Sequence, residues 1–142
     1  MHVLLDTNIF ISYLLSHRPT SPIAQVMTAL FERRFVLRMP AELLEELVRT
    51  LIKKPYLKDR IRVAEAEHLV TQLSSLAESI SPIAKKIPAI TRDPTDDYLP
   101  AYAQLGQVDY LVTGDPDLLV LKRVGQVKIV SPRTFIARLK AA

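Results

Sequence analysis

The chain has 142 residues, 49% of them apolar. That fits one compact domain, 1–142, burying about two-thirds of the surface its unfolded chain would expose. The absence of cysteine excludes a disulfide scaffold, a zinc ribbon, an iron–sulfur cluster and a thiol nucleophile. A formal charge of +4 favours an anionic partner, and no apolar run approaches the roughly 18 to 20 residues of a membrane span, so a cytoplasmic protein without membrane association is expected.

His2 to Leu5 is a short apolar run cut off by Asp6, the pattern of a buried strand whose carboxyl end meets a polar site. A helix from Thr7 to Leu15 follows. Ser21-Pro22 reads as an N-cap with proline at the first helical position, and Ile23, Val26, Met27 and Leu30 then recur at helical spacing. Phe35 to Leu37 suits a second strand. Pro40 opens a helix with Leu43, Leu44, Leu47, Val48, Leu51 and Ile52 on one stripe, stopped before Pro55. Val63 to Ile80 reads as a single amphipathic helix with Leu69, Leu73, Leu76 and Ile80 inward, and Pro82 and Pro88 bracket an extended segment. The next helix begins at Asp96 or Asp97 and ends at Gly106. Tyr110 to Val112 is a short buried strand running into Thr113-Gly114-Asp115, Val127 to Val130 is a last strand, and Ser131-Pro132 starts a terminal helix containing Phe135, Ile136 and Leu139. Short apolar strands alternating with helices predict an α/β fold with a mostly parallel sheet covered on both faces.

The charges are segregated. Basic residues cluster at Arg33, Arg34 and Arg38, at Lys53, Lys54, Lys58, Arg60 and Arg62, and at Lys85 and Lys86, whereas the stretch from Asp93 to Asp117 holds six aspartates. In open α/β sheets ligands bind outside the carboxyl ends of the strands. Asp6 and Asp115 fall there, Asp96 and Asp97 lie at a helix start, and Glu45 and Glu46 lie on the helix after Pro40. At about 4 Å and an effective dielectric of about 20, each pair of like charges repels by about 4 kcal/mol. A carboxylate cluster therefore needs a proton or a cation, and ligation by oxygen alone selects Mg²⁺ or Mn²⁺ over zinc. Such a site suits phosphoryl chemistry.

Each acid also has a plainer role. Asp6, Asp96, Asp97, Asp115 and Asp117 are all good helix N-caps, and Glu45 and Glu46 suit a solvated helix face, between which periodicity does not choose. The basic clusters suit ordinary surface. His2, His17 and His68 lack metal-ligand spacing, and Gly106, Gly114 and Gly125 are too scattered for a phosphate loop or dinucleotide fingerprint.

Leu4-Leu5-Asp6-Thr7-Asn8, Glu45-Glu46-Leu47, Arg92-Asp93-Pro94-Thr95-Asp96-Asp97 and Val112-Thr113-Gly114-Asp115 together resemble the PIN-domain nucleases, in order and over nearly the whole chain. Within that family the sequence is most similar to the group described as toxin components of toxin–antitoxin systems. The resemblance implies a three-layer α/β/α sandwich whose acids bind Mg²⁺ or Mn²⁺ and hydrolyse RNA phosphodiester bonds by in-line attack of water, with no covalent enzyme intermediate. It assigns Asp6, Glu46, Asp97 and Asp115 as catalytic and metal-binding, with Glu46 a better match than Glu45. Asn8, Thr113, Asp93, Asp96 and Asp117 become supporting residues, and Lys53, Lys54, Arg60, Lys85 and Lys86 candidates to hold the RNA. It further implies a small antitoxin protein that covers the site, and pairing into a homodimer. The alternatives are a non-toxin RNA-processing nuclease and an inactive PIN-like module that only binds RNA or protein; a phosphate-handling receiver or phosphatase domain fits less well, because the first motif reads Asp-Thr-Asn.

Overall fold

Val3, Leu4 and Leu5 are wholly buried because the strand they form, β1 (His2–Leu5), lies inside a sheet and is covered on both faces. The structure, a computed structural model, describes residues 1–16, 18–53, 59–80 and 98–141. Among these, β1 is flanked by β2 (Val36–Leu37) on one side and β3 (Tyr110–Val112) on the other. Beyond β3 lies β5 (Val127–Val130), and β4 (Arg123–Val124) forms the edge. The pairings of β1 with β2, β1 with β3 and β3 with β5 are parallel; β4 alone runs antiparallel, against β5. The expected α/β class, as a three-layer α/β/α arrangement around a mostly parallel sheet, is what the chain adopts.

The helices are α1 (Thr7–Leu15), α2 (Pro22–Phe31), α3 (Ala41–Lys53), α4 (Val63–Leu76), α5 (Tyr98–Leu105), the four-residue α6 (Pro116–Leu119) and α7 (Pro132–Ala141). Their starts follow the capping signals. The Ser21 hydroxyl accepts from the Ala24 N–H at 3.1 Å, with Pro22 in the first turn. Ser131 does the same for α7, its hydroxyl accepting from the Thr134 N–H at 3.2 Å. The core is continuous across the sheet. Phe135 of α7 is fully buried and meets Phe35 and Tyr110 edge-on, with ring centroids 5.2 and 5.6 Å apart; burying such a ring contributes about 1.5–3 kcal/mol.

Three differences from the sequence reading have physical causes. The helix read as Val63 to Ile80 ends at Leu76. Ala77 turns extended, and Glu78 then exchanges backbone hydrogen bonds with Leu37 and Met39, 2.8 and 2.9 Å, so its polar groups find partners at the sheet edge. Ile80 is buried as expected, but from an extended segment. The second difference is β4, which folds back on β5 through Gly125 and Gln126, with Gly125 in the left-handed region at φ 57. The third is α6, too short to show a periodicity. The bracketed segment between Pro82 and Pro88, and the expected start of α5 at Asp96 or Asp97, lie outside the described residues.

Candidate active site

The strand order puts β2 on one side of β1 and β3 on the other, so the direction of winding reverses between β1 and β3. The crevice at the carboxyl ends of two such strands is where open α/β sheets bind ligands. Asp6 directly follows β1 and Thr113 directly follows β3, and the Asp6 N–H donates to the Val112 carbonyl at 3.0 Å, locking the two strand ends together.

The side chains there form a chain of hydrogen bonds. Asp6 is 4% exposed; its Oδ1 accepts from the Asn8 N–H at 3.1 Å, which caps α1. Its Oδ2 accepts from the hydroxyl of wholly buried Thr113 at 2.7 Å. The Thr113 hydroxyl in turn accepts from the Asp115 N–H at 3.0 Å, and Asp115 Oδ1 accepts from the Asp117 N–H at 2.9 Å, which caps α6. Capping and site membership are therefore not alternatives for Asp6 and Asp115: one oxygen of each carboxylate caps a helix while the group stays at the strand ends. Burial raises the Asp6 carboxyl above its ordinary value; the hydrogen bonds from Thr113 and from the Asn8 backbone oppose this, and the negative charge of Asp115 adds to it.

Beside Asp6 opens a cleft of about 380 Å³, walled by the start of α1, by α3 and by α5, and lined by Asn8, Glu42, Glu46, Arg49, Tyr98 and Tyr102 among others. Glu46 lines it and Glu45 does not. Glu45 stands about 160° around the helix from Leu43 and Leu47, the two buried residues of α3, whereas Glu46 stands only about 60–100° from them. The sequence reading missed Glu42, Arg49, Tyr98 and Tyr102. The first two share the Glu46 strip at spacings of four and three residues, a signal the sequence does carry. Buried Tyr102 donates its hydroxyl to Glu42 and so ties α5 to α3.

Other expected residues fall elsewhere. Asp93, Asp96, Asp97, Lys54, Lys85 and Lys86 lie outside the described residues. Lys53 and Arg60 are exposed, but neither lines the Asp6 cleft, and Lys53 is seven residues along α3 from Glu46, about 10 Å of helix. The cation that does line the cleft is Arg49.

The family model of the PIN domain matches residues 2–117. The chain belongs to the PIN domain family. No curated protein and no solved structure matches it. A PIN domain has a nuclease-type fold, and its members typically use divalent metal ions. The donors at the strand ends of this PIN domain fit such an ion in kind. They are oxygens throughout, two carboxylates and a hydroxyl with Glu46 and Glu42 along the cleft, and a cation would offset the burial of the Asp6 charge and its repulsion by Asp115. Among the described residues, however, no three acidic, histidine or cysteine side chains stand close enough together to hold an ion between them. No helix among the described residues of this PIN domain is long and apolar enough to cross a membrane.

Proposed function

We propose that this PIN domain is a metal-dependent endoribonuclease that hydrolyses RNA phosphodiester bonds and serves as the toxin of a toxin–antitoxin pair. The observation that carries the nuclease reading is the buried Asp6 carboxylate, held at the sheet's switch point by the Thr113 hydroxyl and the Asn8 N–H, and kept costly to ionise by burial and by the charge of Asp115. The toxin assignment rests on the likeness of the Arg92–Asp97 and Val112–Asp115 motifs.

In this reading Asp6 and Asp115, with Asp97 and Glu46, would hold Mg²⁺ or Mn²⁺, which when bound would supply positive charge to a scissile phosphate and its leaving oxygen and would acidify a water. The chain's own groups do the rest. Thr113 fixes the Asp6 carboxylate through Oδ2, and the Asn8 N–H fixes it through Oδ1. Glu46, solvated in the cleft, is placed to accept a proton from the attacking water at its carboxylate. Arg49 on the same strip offsets phosphate charge that the acids would otherwise repel. Lys53, Lys54, Arg60, Lys85 and Lys86 remain candidates for contacts along the RNA. A small antitoxin protein that places a basic side chain among the carboxylates, a homodimer that lengthens the RNA path and a cytoplasmic location complete the reading.

The test uses labelled single-stranded RNA incubated with wild type and with folded Asp6→Asn, Glu46→Gln, Asp97→Asn and Asp115→Asn variants, in Mg²⁺, in Mn²⁺ and in chelator. Cleavage that requires metal and disappears in the variants is expected. Binding without cleavage under every condition would replace the nuclease with a recognition module. Growth arrest on expression of the wild type but not of Asp6→Asn is expected of a toxin; normal growth with active enzyme would favour an RNA-processing role.

A further inference from the structure

A second polar cleft, of about 560 Å³, lies between the β4 edge of the sheet and α7. Lys122, Arg123, Lys128 and Arg138 border it together with the hydroxyl residues Ser131 and Thr134, and no acidic side chain lines it. Strand register explains how four cations meet. Lys128 is the direct partner of Arg123 in the antiparallel β4–β5 ladder and of Tyr110 in the parallel β3–β5 ladder. Tyr110, Lys128 and Arg123 therefore form one row across three strands on one face of the sheet. Arg138 of α7 reaches the same row, its guanidinium 5.9 Å from the Tyr110 ring centroid. Lys122 sits in the left-handed region, at φ 60, immediately before β4.

Like charges directly opposed in a ladder are destabilising. Among the described residues none of these four cations is paired with a carboxylate, in contrast to Arg38, whose guanidinium meets Glu78 at 3.2 Å. The nearby acid Asp109 accepts from the His2 N–H at 2.8 Å and forms no ion pair with Lys128. A row of unneutralised cations at a strand edge costs folding energy that an anionic ligand would return. The cleft's position says which anion. The cleft runs along the sheet: Lys128 lies toward the amino end of β5, level with Tyr110 at the start of β3, while Ser131 follows β5 at the carboxyl edge that also carries Asp6 and Thr113, and Leu119, the last residue of the helix that Asp115 caps, forms part of the wall.

We propose that this cleft binds the phosphate backbone of single-stranded RNA, extending past Asp115 the path that the strand takes across the acidic crevice. The choice of RNA rests on the nuclease reading above. The open, elongated row suits successive phosphates of a flexible strand, and the hydroxyls of Ser131 and Thr134 add donors for the same oxygens.

The experiment measures binding of labelled single-stranded RNA by fluorescence anisotropy in chelator, across a salt series, for wild type, for Arg123→Gln/Lys128→Gln/Arg138→Gln, and for a control with the same charge loss at exposed sites elsewhere, Arg18→Gln/Arg34→Gln/Arg62→Gln. The cleft variant is expected to weaken Kd about tenfold or more, and to lower the slope of log K against log salt by about 2, at about 0.7 for each phosphate no longer neutralised. The control should weaken far less. Thermal unfolding of the cleft variant should stay close to wild type, relief of the opposed Arg123–Lys128 pair offsetting the loss of Arg138 from the Tyr110 ring, so weaker binding is not a failure to fold. Equal binding by the cleft variant and the control would overturn the proposal, as would absence of RNA binding by the wild type, or a loss in the cleft variant of binding to anionic-lipid vesicles but not to RNA. Metal-dependent cleavage, assayed in parallel, separates the two readings. Cleavage with unimpaired binding by the cleft variant sinks the cleft alone; cleft-dependent binding without any cleavage supports the cleft and sinks the nuclease.

Discussion

Thr113→Val tests whether the hydroxyl that bridges the two aspartates is what holds the acidic crevice together. Valine has nearly the shape of threonine, so at this wholly buried position it opens no cavity. What it removes is the hydroxyl that donates to Asp6 Oδ2 at 2.7 Å and accepts from the Asp115 N–H at 3.0 Å. A hydrogen bond to a charged group is worth about 1.5–3 kcal/mol and a neutral one about 1. Asp115 is only half-buried, so its N–H recovers part of the loss from water. The expected cost is about 2–4 kcal/mol at neutral pH, which at a urea slope of about 2 kcal/mol/M displaces the unfolding midpoint by about 1–2 M. Thr113→Ser makes the comparison decisive. It keeps both hydrogen bonds and deletes one buried methyl, at about 1 kcal/mol. Hydrophobic burial alone ranks valine as the milder change; the hydrogen-bond chain ranks serine as the milder. Urea unfolding in chelator at constant slope measures the order, and Thr113→Val as stable as Thr113→Ser would refute the bridging role. In an Asp6→Asn background the cost of Thr113→Val should shrink, because the charge-assisted share is gone, leaving a coupling of about 1 kcal/mol or more in the double-mutant cycle.

Four further expectations rest on the same geometry. Because burial raises the Asp6 carboxyl in the folded state, the folded chain holds that proton to higher pH than the unfolded chain, whose aspartates titrate near 3.9. The contribution of Asp6 to stability is therefore fully present below about pH 3.9 and is lost as pH rises through the elevated folded value; in chelator, Asp6→Asn should gain on wild type over that window and hold its advantage above it, whereas a stability difference independent of pH would contradict the raised carboxyl. Mg²⁺ or Mn²⁺ at about one hundred times its Kd should stabilise wild type by about 2.7 kcal/mol, read as a rise in Tm that Asp6→Asn lacks, and an equal rise in both would place the ion elsewhere. Glu46→Gln should lower cleavage at least tenfold while Glu45→Gln leaves it unchanged; the reverse order would overturn the placement of Glu46 on the cleft strip. Phe135→Ala, which empties the space between α7 and the rings of Phe35 and Tyr110, should cost about 3–5 kcal/mol in denaturant unfolding, and a cost below 1 would mean that α7 is not part of the core.

What the sequence conveyed, and what it withheld, divides along the range of the interactions. Asp6 was legible because an apolar run ends on it, and the run had to be a central strand once no solvated residue interrupted it. Asp115 and Thr113 followed by the same logic after Tyr110 to Val112. Periodicity did not separate Glu45 from Glu46, between which only the family resemblance chose, and the reason is specific. The apolar stripe of α3 spans Leu43, Leu44, Leu47, Val48, Leu51 and Ile52, and its centre lies about 90° around the helix from Leu43, which puts Glu45 nearer the border than Glu46. In the fold only Leu43 and Leu47 are fully buried, Ile52 is 61% exposed, and the true inward direction is rotated back toward Leu43, carrying Glu46 to the cleft and Glu45 to the far side. A stripe states which residues are apolar; which of them the sheet covers depends on partners elsewhere in the chain. The opposed cations Arg123 and Lys128 make the same point in a sheet. They are five residues apart in sequence, and only the turn at Gly125 and Gln126 sets them face to face. A run read as one strand would have left them as unrelated surface charges, and the cost that marks them as a binding row exists only once β4 has folded back on β5.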